Sequence, residues 1–139
     1  MEKYCQNYID QLTYKIIGCA IEVHKLLGPG LLESIYSKCL IQELKLNGFE
    51  IENQTLIPLD YKGIEINCEL RLDILVDNII IIELKSVERI HPVYEAQLLT
   101  YMKLLQKPKG ILINFNCKNL FYEGQKTLVN EFYAKLPKD

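Results

Sequence analysis

The chain has 139 residues, of which 49% are hydrophobic and 24% charged, with a formal net charge of −2. That length buries one core but not two, and that balance excludes disordered, collagen-like and coiled-coil classes, so one domain over residues 1–139 is expected. The acidic balance also argues against a protein that binds nucleic acid through its bulk charge, which leaves only local basic patches for such a purpose.

No apolar run approaches the roughly 20 residues of a spanning helix, and the polar start MEKYCQNYIDQ lacks the apolar block of a signal peptide. A cytoplasmic protein without a membrane partner is expected. Cys5, Cys19, Cys39, Cys68 and Cys117 are odd in number and form no CxxC pair. They are read as mostly small core residues, not as a disulfide framework or a zinc site.

From about Tyr8 to Leu27, apolar residues recur at threes and fours (Ile9, Leu12, Ile16, Ile17, Ala20, Val23, Leu27), the spacing of an amphipathic helix. Gly28-Pro29-Gly30 stops it. A second helix is expected from about Leu31 to Asn47, with Leu32, Ile35, Cys39, Leu40 and Leu44 as its apolar residues and Gly48 at its C-terminal cap. His24, near the end of the first helix, suits the negative end of the helix dipole, although a catalytic role is also open to it.

Past Phe49 the pattern alternates. FEIENQTLIPLDY reads as a strand, Lys62-Gly63 as a turn, IEINCELRLDILV as a second strand and IIIIELKS as a third, an antiparallel three-strand meander. HPVYEAQLLTYMKLLQ then reads as a crossover helix with Pro92 near its first position and His91 close to its cap. GILINF reads as a further, buried strand. In the tail, NLFYEG reads as a strand and LVNEFYAKL as a short closing helix. The fold class is therefore α/β in the broad sense, an α+β mixed sheet flanked by helices.

In the second strand Ile64, Ile66, Cys68, Leu70, Leu72, Ile74 and Val76 share one face, and Glu65, Glu69, Arg71 and Asp73 lie on the other. In the third, Ile80, Ile82 and Leu84 oppose Glu83 and Lys85, polar groups that are costly in an apolar strand unless they are used. Slipping the pairing by one residue flips every side chain, so matching the apolar faces selects a register. A two-residue turn would place Leu72 against Glu83. A three-residue loop at Asp77, Asn78 and Ile79 instead places Leu72, Ile74 and Val76 against Leu84, Ile82 and Ile80, with Asp73 beside Glu83 and Arg71 beside Lys85.

Two adjacent carboxylates repel each other, which a divalent cation between them would relieve. Oxygen ligands without paired His or Cys favour Mg²⁺ or Mn²⁺ over zinc. Lys85, on the same face, is placed to orient or deprotonate a water or to stabilise a phosphate. The same residues read equally well as a solvated face of charges in a salt-bridge ladder.

Three motifs decide between these readings. RLD followed by IIELK resembles the D…(D/E)xK signature of the PD-(D/E)xK nuclease superfamily, with Asp73, Glu83 and Lys85 in its three places and Leu72 where a proline is usual. QLLTY resembles the QxxxY motif of the RecB-like branch, Gln97 and Tyr101 sharing one helical face. GLLESIY, with Gly30, Glu33 and Tyr36, is similar to the GxxExxY family, as is the lead-in VHKLLGPG.

The resemblance runs from about Ile16 to about Phe115 and implies a restriction-endonuclease-like core that hydrolyses phosphodiesters, in DNA above all. It implies Mg²⁺ or Mn²⁺ held by Asp73, Glu83, the backbone carbonyl of Leu84 and the helix-borne Glu33. Lys85 would position a water, and Gln97, Tyr101 and Tyr36 would brace the site or contact nucleic acid, while Arg71 neutralises a phosphate. A second reading keeps the fold with little turnover, as a nucleic-acid-binding or regulatory module that works with a partner protein. The apolar strands would support a homodimer as readily as a monomer.

Overall fold

The structure, a computed structural model, describes residues 4–66 and 69–139. Asn67 and Cys68, which fall in the expected second strand, lie outside the described residues.

Helix α1 spans Gln6–Leu27 and starts at Cys5, whose Sγ accepts the Tyr8 N–H at 3.4 Å. Its buried stripe is Ile9, Leu12, Ile16, Cys19, Ala20 and Val23, at the expected spacing, but Ile17 is only half-buried and Leu27, at the end of the helix, is exposed. Gly28 ends it at φ 71°, donating its N–H to the His24 carbonyl, and Gly30 also takes a positive φ of 98°. Both are backbone conformations that glycine reaches without Cβ strain. Helix α2 spans Glu33–Leu46 and is closed by Gly48 at φ 86°.

The buried stripe of α2 differs from the one expected. Tyr36, Leu40 and Leu44 are fully buried, whereas Leu32 is 73% and Ile35 40% exposed. The reason is aromatic packing: the Tyr36 ring stacks on Phe115 with centroids 4.4 Å apart, which rotates the Tyr36 side of the helix inward.

The main sheet has the order β1-β4-β5-β6-β7, with β1 Ile51–Asn53, β4 Ile74–Val76, β5 Ile80–Lys85, β6 Lys109–Asn114 and β7 Gln125–Val129. β5 and β6 are parallel and joined by helix α3, Pro92–Leu105; the other pairs are antiparallel. This is a mixed α/β architecture with a five-strand mixed sheet flanked by helices, consistent with a restriction-endonuclease-like core.

The two long strands drawn from the alternation form one interrupted ribbon. Its base is β1 on β4, its middle a single bridge between Leu56 and Arg71, and its tip a separate hairpin of β2, Asp60–Tyr61, on β3, Ile64–Glu65. The tip turns at Lys62 and Gly63, φ 51° and 86°, the two-residue turn that the sequence predicts. The single apolar face expected from Ile64 to Val76 does not persist along it. Ile64 is 65% exposed and Ile66 is exposed, because only Ile74–Val76 pair with β5 and face the helices.

Both faces of the sheet are covered. Ile74, Val76, Ile80, Ile82, Leu84, Ile111 and Ile113 pack with α1 and α2, and Leu75, Ile81 and Leu112 pack with Leu98, Tyr101 and Met102 of α3. Burial on two faces explains why IIII and GILI read as continuous apolar runs. Leu72 joins the α3 side instead of facing Leu84.

The tail departs from expectation. Leu120–Gly124 is a π-helical turn; the strand is β7, which follows it directly from Gln125, and the closing helix α4 is only Glu131–Ala134. Asn130 starts that helix by accepting the N–H groups of Phe132 and Tyr133. The cysteine expectation holds only in part: Cys19 is buried, whereas Cys5, Cys39 and Cys117 are half-buried and unbridged.

Gly124 sits where a Cβ would lie 2.6 Å from the Asn114 carbonyl and 2.7 Å from Cys117 Sγ. Gly124→Ala should therefore destabilise the fold by about 1–3 kcal/mol in urea denaturation. Gly18→Ala, in the middle of α1 with open space around it, should stabilise it by about 0.4–1 kcal/mol.

Candidate active site

The site is built on the β4–β5 hairpin. Ile74 faces Ile82 and Val76 faces Ile80, across a three-residue loop of Asp77, Asn78 and Ile79 in which the first two residues take φ 51° and 58°. This is the register that apolar matching selects. Asp77 locks the loop from outside, its carboxylate accepting the Glu50 N–H at 2.8 Å and its own N–H bonding the Glu50 carbonyl.

At the next step Asp73 and Glu83 bond reciprocally. Glu83 Oε1 accepts the Asp73 N–H at 3.1 Å, and Asp73 Oδ2 accepts the Leu84 N–H at 2.8 Å. The strand ladder is thus replaced by carboxylate-to-amide bonds. Gln54, in the left-handed region at φ 55°, donates its N–H to the Asp73 carbonyl at this point.

Glu83 is only 5% exposed. Burial, and then repulsion from Asp73, push its pKa up to about 8. Tyr101 is buried beside the pair. Burial first, then Glu83 and Asp73, raise its hydroxyl's pKa and keep it a hydrogen-bond donor.

Glu33 opens α2 across a cleft of about 320 Å³ that it lines with Ser34, Ser37, Lys38, Ile41, Asn53, Gln54, Asp73 and Leu84. The glutamate after the glycine break and the strand aspartate therefore share one cleft. Among the described residues, however, no three acidic, His or Cys side chains converge closely enough to hold a metal ion.

Other residues named from the sequence lie further out. Tyr36 does not face the cleft: its hydroxyl donates to the Gly28 carbonyl and accepts the Leu31 N–H, bracing the GPG turn from the core. Arg71 is exposed, donates to the Gln54 carbonyl at 3.2 Å and lines a different cleft with Leu56, Glu65 and Glu69. Gln97 is exposed on α3, one turn before Tyr101. Lys85 points its ammonium over the Tyr94 ring, 4.5 Å from the centroid. His24 is buried, with Nε2 at 2.8 Å from the Cys117 carbonyl, and His91 is the N-cap residue of α3.

Two bracing residues escaped the sequence reading. Asn114, paired with Lys85 across β5 and β6, accepts the Val87 N–H at 3.1 Å and donates to the Val87 carbonyl at 3.0 Å, clamping the chain as it leaves β5. Its only signal was an asparagine in the otherwise apolar run GILINF. Ser86 donates to the Leu31 carbonyl at 2.6 Å and ties that exit to the turn before Glu33; nothing in the local sequence marks it.

A central β5–β6 parallel pair, a flanking hairpin and two acids on adjacent strands define a restriction-endonuclease-like nuclease core. The chain belongs to the PD-(D/E)XK nuclease superfamily, whose family model matches residues 10–127. No curated protein and no solved structure gives a match. Nucleases of this superfamily act on nucleic-acid phosphodiesters and generally use divalent metal ions. Among the described residues, no helix is long and apolar enough to cross a membrane.

Because the folded state keeps the Glu83 proton well above the usual 4.5, this residue contributes stability that is complete below pH 4.5 and is lost as the pH rises through about 8. Glu83→Gln should remove that slope and leave the variant more stable than wild type above the window, on the order of a few kcal/mol, read from urea midpoints across pH. Tyr36→Phe removes the hydroxyl that bridges Gly28 and Leu31; it should cost about 1–2 kcal/mol in the same assay.

Proposed function

We propose that the protein is a divalent-metal-dependent nuclease of the GxxExxY branch that hydrolyses phosphodiester bonds in DNA. The observation that carries this reading is the Asp73–Glu83 pair: two carboxylates side by side across the hairpin, one of them only 5% exposed and held in place by backbone amides. Evolving such a pair for stability alone is hard to rationalise, since apolar residues would fill those positions at less cost.

The donor set suits a hard cation. Each carboxylate binds a backbone amide through one oxygen, Asp73 Oδ2 and Glu83 Oε1, so each would have its second oxygen to offer an ion. Asp73, Glu83 and the Leu84 carbonyl would hold Mg²⁺ or Mn²⁺, with Glu33 reaching it across the shared cleft. The bound ion would polarise the phosphate and lower the pKa of its water.

The chain's own groups then have separate tasks. Lys85 orients the attacking water or meets charge developing on the phosphate. Tyr101, buried next to the carboxylate pair, braces the site; Gln97, exposed on the same helix, is available to the nucleic acid. Arg71 neutralises a backbone phosphate beyond the cleft, and Tyr36 braces the turn that delivers Glu33.

A second reading is a nuclease-fold module that binds nucleic acid or a partner protein with little turnover. The net charge of −2 and the lack of a converging acidic triad among the described residues favour it. Cleavage of single- and double-stranded DNA and of RNA, with Mg²⁺, Mn²⁺ or chelator, separates the two. The nuclease reading expects metal-dependent cutting, reduced at least about 100-fold in folded Asp73→Ala and Lys85→Ala proteins. It also expects calorimetry at neutral pH to show a proton released as the metal binds, because Glu83 must ionise. No cutting with any metal, and no heat of metal binding, would leave the module reading.

A further inference from the structure

A lysine next to two carboxylates is expected to pair with one of them. Lys85 does not: among the described residues the ion pairs are Lys109 with Asp10 and Lys126 with Glu95, and the Lys85 ammonium lies instead 4.5 Å from the centre of the Tyr94 ring. An aromatic face attracts an ammonium through its quadrupole without using a carboxylate oxygen. Lys85 thus takes up no oxygen of Asp73 or Glu83, and its ammonium is held locally by the ring.

The ring is held independently of the lysine. Pro92 opens α3, and His91 caps it, its Nδ1 accepting the Val93 N–H at 3.3 Å. The Tyr94 N–H returns to the His91 carbonyl at 2.9 Å, and the imidazole meets the Tyr94 ring edge-on at 6.3 Å and 65°. Tyr94 therefore stands on the first turn of a capped helix, half-buried, facing the end of β5. A lysine stem has four rotatable bonds; a fixed ring over its end restricts where the ammonium can go.

We propose that Tyr94 is a positioning residue for Lys85, fixing its ammonium beside the carboxylate pair through the ring face. The inference rests on reading Lys85 as the group that orients the attacking water, and it assigns Tyr94 no contact with substrate.

The test compares wild type with Tyr94→Phe, Tyr94→Leu and Tyr94→Met. The ring should shift the Lys85 ε-CH₂ resonances upfield, identified by their disappearance in Lys85→Arg. Phe should keep that shift, and Leu and Met should lose it. In cleavage assays Leu and Met should lower kcat roughly tenfold with KM unchanged, and Phe should stay within about twofold of wild type. An unshifted Lys85 in the wild type, or a Phe variant as impaired as Leu, overturns the proposal, and the wild-type spectrum decides it even if Leu and Met do not fold. If wild type cuts no nucleic acid, the nuclease reading fails separately, and the resonance shift alone then decides whether Tyr94 holds Lys85.

Discussion

Placing two carboxylates side by side at the edge of a buried hairpin is the constraint around which the other features of this protein are arranged. The Asp73 and Glu83 groups exchange backbone amides across β4 and β5, Glu83 Oε1 with the Asp73 N–H and Asp73 Oδ2 with the Leu84 N–H. Those bonds hold the pair in one geometry against its own repulsion. Burial and the neighbouring Asp73 raise the Glu83 pKa, outweighing the amide bond, which acts in the opposite direction. A three-residue loop, not a two-residue one, is what brings the pair together. With one residue fewer, Glu83 would face the α1–α2 core, where an ionised group has no partner.

The surrounding elements fix what the hairpin presents. Asn114 grips Val87 on both its amide and its carbonyl, so the chain leaves β5 in one direction just after Lys85. Ser86 binds the Leu31 carbonyl, and Leu31 in turn gives its N–H to the Tyr36 hydroxyl, whose ring is stacked on Phe115 in the core. A continuous path of hydrogen bonds and packing therefore runs from the core through the glycine turn to the end of the ExK strand. Its consequence is that Glu33, exposed at the start of α2, shares a cleft with Asp73. The break at Gly28 and Gly30 serves the placement of α2 as much as the ending of α1.

Much of this was legible in the residues. The α1 stripe, the Lys62-Gly63 turn, the crossover helix with Pro92 at its start and the β4–β5 register all follow from periodicity, turn chemistry and the rule that a one-residue slip exposes an apolar face. Three readings failed for a shared reason. The ribbon from Ile64 to Val76 alternates cleanly yet leaves the sheet, α2 buries Tyr36 where Leu32 and Ile35 were expected, and the last strand begins after NLFYEG. Local pattern cannot say which partner surface an apolar residue meets, and exposed apolar residues are common on protein surfaces.

The sequence by itself determined the chemistry available: two strand carboxylates, a lysine two residues beyond, a tyrosine on the following helix and a glutamate behind a glycine turn. It also determined the hairpin register, because only one pairing keeps both apolar faces inside. Tertiary structure alone decided the rest. It set how deeply Glu83 is buried and therefore the upward direction of its pKa shift, sent the Tyr36 hydroxyl to Gly28 and Leu31, and placed the Lys85 ammonium over Tyr94. Each of these depends on groups brought together from distant positions in the chain, and burial, electrostatic coupling and ring contact are properties of that assembled surrounding rather than of any local run of residues.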